Sequence, residues 1–450
     1  MHKRLVLLAG WFLGGATSVG IAAEAPAGGE GFLGDPQVLP VEWRLDELKI
    51  LAVERNPTVR QARERLSEWH GVQIATLSAG LPKLEASGEY TQQDEGLIEA
   101  FGPNDVQPDE VTWKAGLQLN MTVYSAGRLD ARLEAEDHRY QAIRSAIKVT
   151  IHDVLLEVNE AWLAAELARE QQRVQDEAFE VLEQQVTWTA HRVEAGTANK
   201  LALLQAKVAR DNVRPARLRA GNAYRLAVDR LRRLVGMPLE SGVSVEQIRL
   251  EPTAQKQPPV PPLEKALARA RARRPELAES NRLLDAAYAE LSLAKKGNKP
   301  TVGLFGGYGY QGTQFSDASY LEGWNAGIQA KWSLWDGGLT KGRVEEAESR
   351  IRQQVLARNG LRSKIQGDVR AAWYNWQVAA EIGKTTESTI AQAEEAYRLA
   401  KARQEAGGAT QLDVLQARLD VTRAQLEAVT ARHDVSLAQA RLRHATGLLP

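Results

Sequence analysis

The sequence has no cysteine, which removes disulfides, thiolate metal sites, cysteine nucleophiles and any lipid-modified cysteine behind a leader. It has no net charge either. Its 57 lysines and arginines balance 57 aspartates and glutamates, so no bulk electrostatic pull draws it to nucleic acid. Nowhere does an uninterrupted apolar run reach the ~20 residues that a membrane-spanning helix needs. A membrane location would therefore have to be as a β-barrel. The 7 histidines are scattered without metal-ligand spacing, and no phosphate-binding glycine fingerprint or clustered acid-base pair occurs. The sequence reads as neither an enzyme nor a carrier of a metal or cofactor.

What is present begins with a leader. His2, Lys3 and Arg4 precede an apolar stretch from Leu5 to Leu13 and small residues to Ala22 and Ala23, the layout of a secretory signal over residues 1–23. The rest is duplicated. Pro57 matches Pro275, Pro82 matches Pro300 and Tyr90 matches Tyr308 at an offset of 218; Trp113 matches Trp324, Gly127 Gly338, Trp162 Trp373, Gly196 Gly407 and Gly236 Gly447 at 211. The step between offsets falls between Tyr90 and Trp113, in an acidic stretch from Gln92 to Glu110 that reads as a solvated loop, with cation binding as the sharper alternative. The first repeat covers 24–250, a proline-rich connector 251–262 and the second repeat 263–450.

Four segments alternate with period two, at about 82–92, 111–124, 300–311 and 323–335. Each has the length of a barrel strand. Trp113, Trp324 and Trp332 stand on the apolar faces with Tyr90, Tyr308 and Tyr310 near the ends, the placement of an aromatic girdle; Glu85, Glu89, Lys114 and Lys331 stand on the polar faces and suit a water-filled lumen. Four strands cannot close a barrel, so several chains must share one. Helical patterns surround each strand pair. The stretch from Gly127 to Ala195 has no proline and would make a helix of about 100 Å, flanked by two shorter helices end to end. Leu412, Leu415, Leu419 and Leu426 give the three-four spacing of a coiled-coil seam. The fold class is mainly α with a β-barrel part, built from a duplicated helix-strand-strand-long helix-helix unit.

These residues resemble the TolC-type outer-membrane efflux proteins (outer membrane factors). Carrying the resemblance are Leu334-Trp335-Asp336-Gly337-Gly338 and the run from Arg403 to Ala417, with Val123 to Gly127 and Arg192 to Gly196 as first-copy counterparts. The resemblance implies a homotrimer whose twelve-stranded barrel, four strands per chain, sits in outer-membrane lipid of a Gram-negative bacterium on a long helical periplasmic tunnel. Implied partners are a periplasmic adaptor (membrane fusion) protein and an inner-membrane RND, ABC or MFS pump, the chain being the passive duct of a tripartite efflux or type I secretion system. The turns around Gly196-Thr197 and Gly407-Gly408 would form the tip on which the adaptor docks. Asp413 matches the first of an aspartate pair that lines the family's constriction; Gln416 stands where the second would be, and Ala409 where an arginine latches the closed state. A ring of three carboxylates would favour cations, yet Thr410-x-x-Asp413 is also a helix capping box, and the sequence leaves both roles open. The competing reading is a secreted structural coiled-coil protein of the envelope, which predicts polar residues on both strand faces.

Overall fold

The computed structural model describes residues 42–94, 111–237, 248–251, 259–313 and 320–449, all within the unit 41–450. The leader, most of the acidic loop and connector residues 252–258 lie outside the described residues. In chain order the elements are β1 (Glu42–Trp43), α1 (Leu45–Arg55), α2 (Pro57–Leu77), β2 (Lys83–Gln92), β3 (Val111–Tyr124), α3 (Arg128–Glu194), α4 (Lys200–Leu234), β4 (Arg249–Leu250), α5 (Leu263–Arg273), α6 (Pro275–Lys295), β5 (Thr301–Gly312), β6 (Tyr320–Lys331), α7 (Leu339–Glu405) and α8 (Gln411–Ala445).

Prolines and glycines punctuate both halves alike. Pro57 and Pro275 open α2 and α6, where a missing N–H costs nothing. Gly127 and Gly338, both left-handed, precede two helices of 67 residues each. At the same point Ala126 adopts φ 52°, where the second copy has Gly337 at φ 65°. Ala126→Gly is therefore expected to stabilise the protein by up to about 1 kcal/mol, read as a higher denaturant midpoint; a lower midpoint would show that the alanine is unstrained.

Each long helix spans about 100 Å. α3 packs against α2, α4, α6 and α8, and α7 against α5, α6 and α8. Along α3 the buried residues Val154, Val158, Ala161, Trp162 and Ala165 follow helical spacing, which gives the helix a continuous apolar stripe. Nearer the far end, Ala178 and Leu182 of α3 share one cluster with Val213 of α4 and Leu415 of α8. α7 is treated differently: of equal length, it buries only Ala347, Ile351, Ile365 and Val369. It leaves Leu356, Val378, Ile382 and Leu399 exposed, as α4 leaves Leu201, Leu204, Val208 and Leu218.

Shorter helices meet in pairs along α3 and α7. The Asn56 amide between α1 and α2 donates to Leu234 O at the end of α4 (2.7 Å), and Arg274 between α5 and α6 donates to His444 O near the end of α8 (3.2 Å). The 11-residue helices α1 and α5 and the two-residue parallel pair β1–β4 are too short to register as periodicity.

The second sheet has the order β2-β3-β5-β6 and is antiparallel throughout, and among the described residues no strand pairs with the outer edges of β2 and β6. β6 runs from 320 to 331, whereas the alternating pattern placed this strand at 323–335. Pairing stops at Lys331 because its partner Thr301 follows Pro300, which has no N–H to extend the ladder. Trp332 consequently lies on the connection to α7, its indole N–H donating to Asn298 O at 3.1 Å.

Candidate functional site

Register decides which side chains of the sheet share a face. At the end remote from the helices, Tyr90, Trp113, Gly312 and Tyr320 form one row. Ala115, Tyr310 and Glu322 follow, then Ala86, Leu117, Tyr308 and Trp324. Toward the helices the same face becomes aliphatic, with Leu84, Leu119 and Ala326, then Met121, Leu304 and Ile328, then Val302 and Ala330. From Tyr320 to Ala330 the face measures about 33 Å along the strand, or roughly 25 Å in height at a barrel tilt of ~40°. The opposite face has Glu85, Gln118 and Asn325 in one row, Ser87, Gly116, Gly309 and Gly323 in another, and Glu89 paired with Lys114; Thr301 and Lys331 end it.

The register thus brings Tyr90, Trp113, Tyr308, Tyr310 and Trp324 together on one face, and Glu85, Glu89, Lys114 and Lys331 on the other. Sequence reasoning missed Tyr320 and Glu322, and it used Trp335 only as part of a motif. Stepping back by twos from Trp324 reaches both Glu322 and Tyr320, so the alternation held that signal. Glu322 is the one carboxylate on the apolar face of β6, and it accepts a hydrogen bond from the Tyr308 hydroxyl at 3.1 Å. The rings of Tyr308 and Tyr310, and of Tyr310 and Tyr320, meet edge to face with centroids 5.6 Å apart. At the other margin Trp335 is 87% exposed, beside the exposed Leu334.

The far ends of the long helices are built alike. Gly196 (φ 71°) and Gly407 (φ 76°) end α3 and α7 in left-handed turns, with Thr197 N–H donating to Arg192 O and Gly408 N–H to Arg403 O, both at 2.8 Å. These are the helix-ending bonds that glycine permits. The following helices are capped: Asn199 Oδ1 accepts from Ala202 N–H at 2.8 Å, and Thr410 with Asp413 forms a full capping box. Asp413 Oδ2 accepts from the Thr410 N–H (2.8 Å) and hydroxyl (2.7 Å), while that hydroxyl accepts from Asp413 N–H at 3.2 Å. Gln416 turns along its own helix and donates to Asp420 at 3.2 Å. The capping role of Asp413 is therefore present in the single chain, and Gln416 makes no bond to it.

Two caps titrate. Hydrogen bonds from the Thr410 backbone and side chain hold the Asp413 carboxyl below the usual carboxylate range. Asp336 is lowered likewise by the Thr340 side chain and backbone, and it accepts from Gly338 N–H (3.0 Å) and Thr340 N–H (2.9 Å) at the start of α7. A depressed carboxyl stabilises the fold above its unfolded pKa of about 3.9 and loses that contribution as pH falls through the lower folded value. The starts of α7 and α8 are thus expected to lose amide-exchange protection below about pH 4. The starts of α3, capped by the Ser125 hydroxyl, and α4, capped by Asn199, should keep theirs. Equal loss at all four would contradict this assignment.

Chemically, the arrangement offers two distinct sheet faces joined to long helices; among the described residues no three His, Asp or Glu side chains converge as metal ligands would. The family model described as "Outer membrane efflux protein" matches residues 50–237 and 266–448. The "Probable outer membrane lipoprotein SilC" of Salmonella typhimurium is 24% identical over 343 residues, covering 73% of this chain and 68% of that protein. "Outer membrane efflux protein BepC" of Brucella suis is 22% identical over 340 residues, covering 75% and 72%. Among solved structures, the outer membrane protein VceC of Vibrio cholerae superposes with a TM-score of 0.72 at 20% identity over 90% of this chain and 96% of its own. The CmeC outer membrane channel of Campylobacter jejuni does so with 0.75 at 16% identity over 90% and 85%. With both halves matched by one family model and the whole architecture shared, the chain belongs to the outer membrane efflux protein family.

Proposed function

We propose that three copies of the chain form one passive duct, through which an inner-membrane pump of the RND, ABC or MFS class, coupled by a periplasmic adaptor, sends its cargo across the outer membrane. The observation that carries the reading is the four-stranded sheet with one apolar, aromatic-margined face, one polar face and two free edges. A free edge exposes unpaired backbone donors and acceptors, which bilayer lipid cannot satisfy. Joining β6 of one copy to β2 of the next satisfies them, and three copies give twelve strands. The exposed apolar residues of α4 and α7 support the same closure, since these helices are the outer members of the row α4-α3-α8-α7.

In that assembly Tyr90, Trp113, Tyr308, Tyr310, Trp324 and Trp332 form the aromatic girdle and meet lipid headgroups, while Glu85, Glu89, Lys114 and Lys331 face the water-filled lumen. Residues 1–23 direct export and are removed. The turns at Gly196-Thr197 and Gly407-Gly408 receive the adaptor, roughly 100 Å from the sheet. Asp413 lines the constriction as well as capping α8, and the three copies of its carboxylate favour cations there. The duct performs no chemistry; its cargo is set by the pump. A structural coiled-coil protein would have no use for a sheet face that is apolar in every row but that of Glu322. Light scattering on the detergent-purified protein tests the stoichiometry: three chains per particle are expected, and a stable single chain would overturn the shared barrel.

A further inference from the structure

The duplicated halves diverge where helix passes to strand. After α2 the chain reads Leu77-Ser78-Ala79-Gly80-Leu81, uncharged and with Leu77 and Leu81 exposed. After α6 the matching segment is Lys295-Lys296-Gly297-Asn298-Lys299. Here the loop is wedged between the starts of both long helices and the end of β6. Lys296 Nζ donates to Gly127 O at 2.9 Å, Arg128 donates to Gly297 O at 3.4 Å, and Trp332 donates to Asn298 O at 3.1 Å. Gly297 lies so close to Thr340 of α7 that a Cβ there would come within 2.9 Å of its hydroxyl. Lys295, Lys299 and Arg132 are exposed. Among the described residues none of these three has a carboxylate partner, whereas Arg139, Arg173, Arg210 and Arg217 are all ion-paired.

We infer that this basic loop, beside the exposed indole of Trp332, binds the phosphate of an acidic phospholipid such as phosphatidylglycerol in the membrane leaflet facing the periplasm. The inference rests on the proposed placement of the sheet in the bilayer. Trp332 fixes the level: it directly follows β6, and its N–H is bonded to the loop that bears the lysines. Indoles favour the boundary between acyl chains and headgroups, and unpaired ammonium groups at that boundary attract anionic headgroups, each by about fivefold in affinity. The matching Leu77–Leu81 segment carries no charge of its own, so the lysine pair is particular to the second copy.

Binding of phosphatidylglycerol to the assembled protein in neutral detergent, compared with phosphatidylcholine of the same chains, tests this. Wild type is expected to prefer phosphatidylglycerol by tenfold or more, with the preference shrinking between about 0.1 and 1 M salt as screening shortens. Lys295→Gln with Lys299→Gln should bring the two lipids close to parity, while Leu77→Gln with Leu81→Gln should leave the preference in place. Equal binding of both lipids by wild type, or an undiminished preference in the double lysine variant, would overturn the site. Should that variant fail to assemble, the wild-type salt series decides, and a salt-independent preference counts against the proposal. Wild type that conducts ions in a bilayer yet shows no lipid preference would sink this site alone and leave the duct intact.

Discussion

Alanine in place of Gly236 or Gly447 is expected to destabilise the helical body by about 2–4 kcal/mol, whereas alanine at Gly196 or Gly407 should cost only about 1 kcal/mol. All four glycines have φ between 68° and 76°, so the backbone penalty is shared. Their surroundings differ. A Cβ at Gly236 would lie 2.6 Å from Arg55 O, and one at Gly447 would lie 2.8 Å from Arg273 C, both backbone atoms that cannot swing aside. At Gly196 and Gly407 nothing lies within 4 Å. The extra loss measures the joints where α4 meets α1 and α8 meets α5. Denaturant unfolding in detergent, followed by helical circular dichroism, reads it; equal losses at all four positions would show that the joints are loosely packed.

Trp162→Ala is expected to cost about 3–5 kcal/mol in the same assay. Trp162 is fully buried on α3, the helix against which α2, α4, α6 and α8 all pack, so truncation leaves a cavity that several rigid helices would have to close together. The same substitution at Trp335, 87% exposed at the sheet margin, is expected to change folding by no more than about 0.5 kcal/mol. A loss below about 1 kcal/mol at Trp162 would mean that the helical body collapses readily and that α3 is not its spine.

The sequence discloses much of this architecture because its strongest signals repeat. Paired tryptophans, prolines and glycines at two offsets delimit helices of identical length in both halves, and unbroken proline-free periodicity marks α3 and α7. Alternation puts Tyr90, Trp113, Tyr308, Tyr310 and Trp324 on one face and Glu85, Glu89, Lys114 and Lys331 on the other, and the register groups them in the same way. Illegible features are those that depend on partners distant in sequence. The end of β6 is set by Pro300, just before the neighbouring strand, and β1 exists only because Arg249 and Leu250 pair with it. The close approach of Gly236 to the Arg55 backbone likewise comes from packing between elements that no local pattern connects. Asp413 shows the other limit: its spacing from Thr410 reveals a cap, while a role in a constriction depends on copies of the chain meeting around an axis.

Single-channel recording of the purified protein in a planar bilayer, wild type against Asp413→Ala, tests the duct most directly. The account predicts a small, steady, cation-preferring conductance that grows or loses its selectivity in the variant. Pores unaltered by the substitution would keep the duct and reduce Asp413 to its bonds with Thr410. Repeated failure of a folded, detergent-stable trimer to conduct at all would contradict the account and favour a structural coiled-coil protein of the envelope.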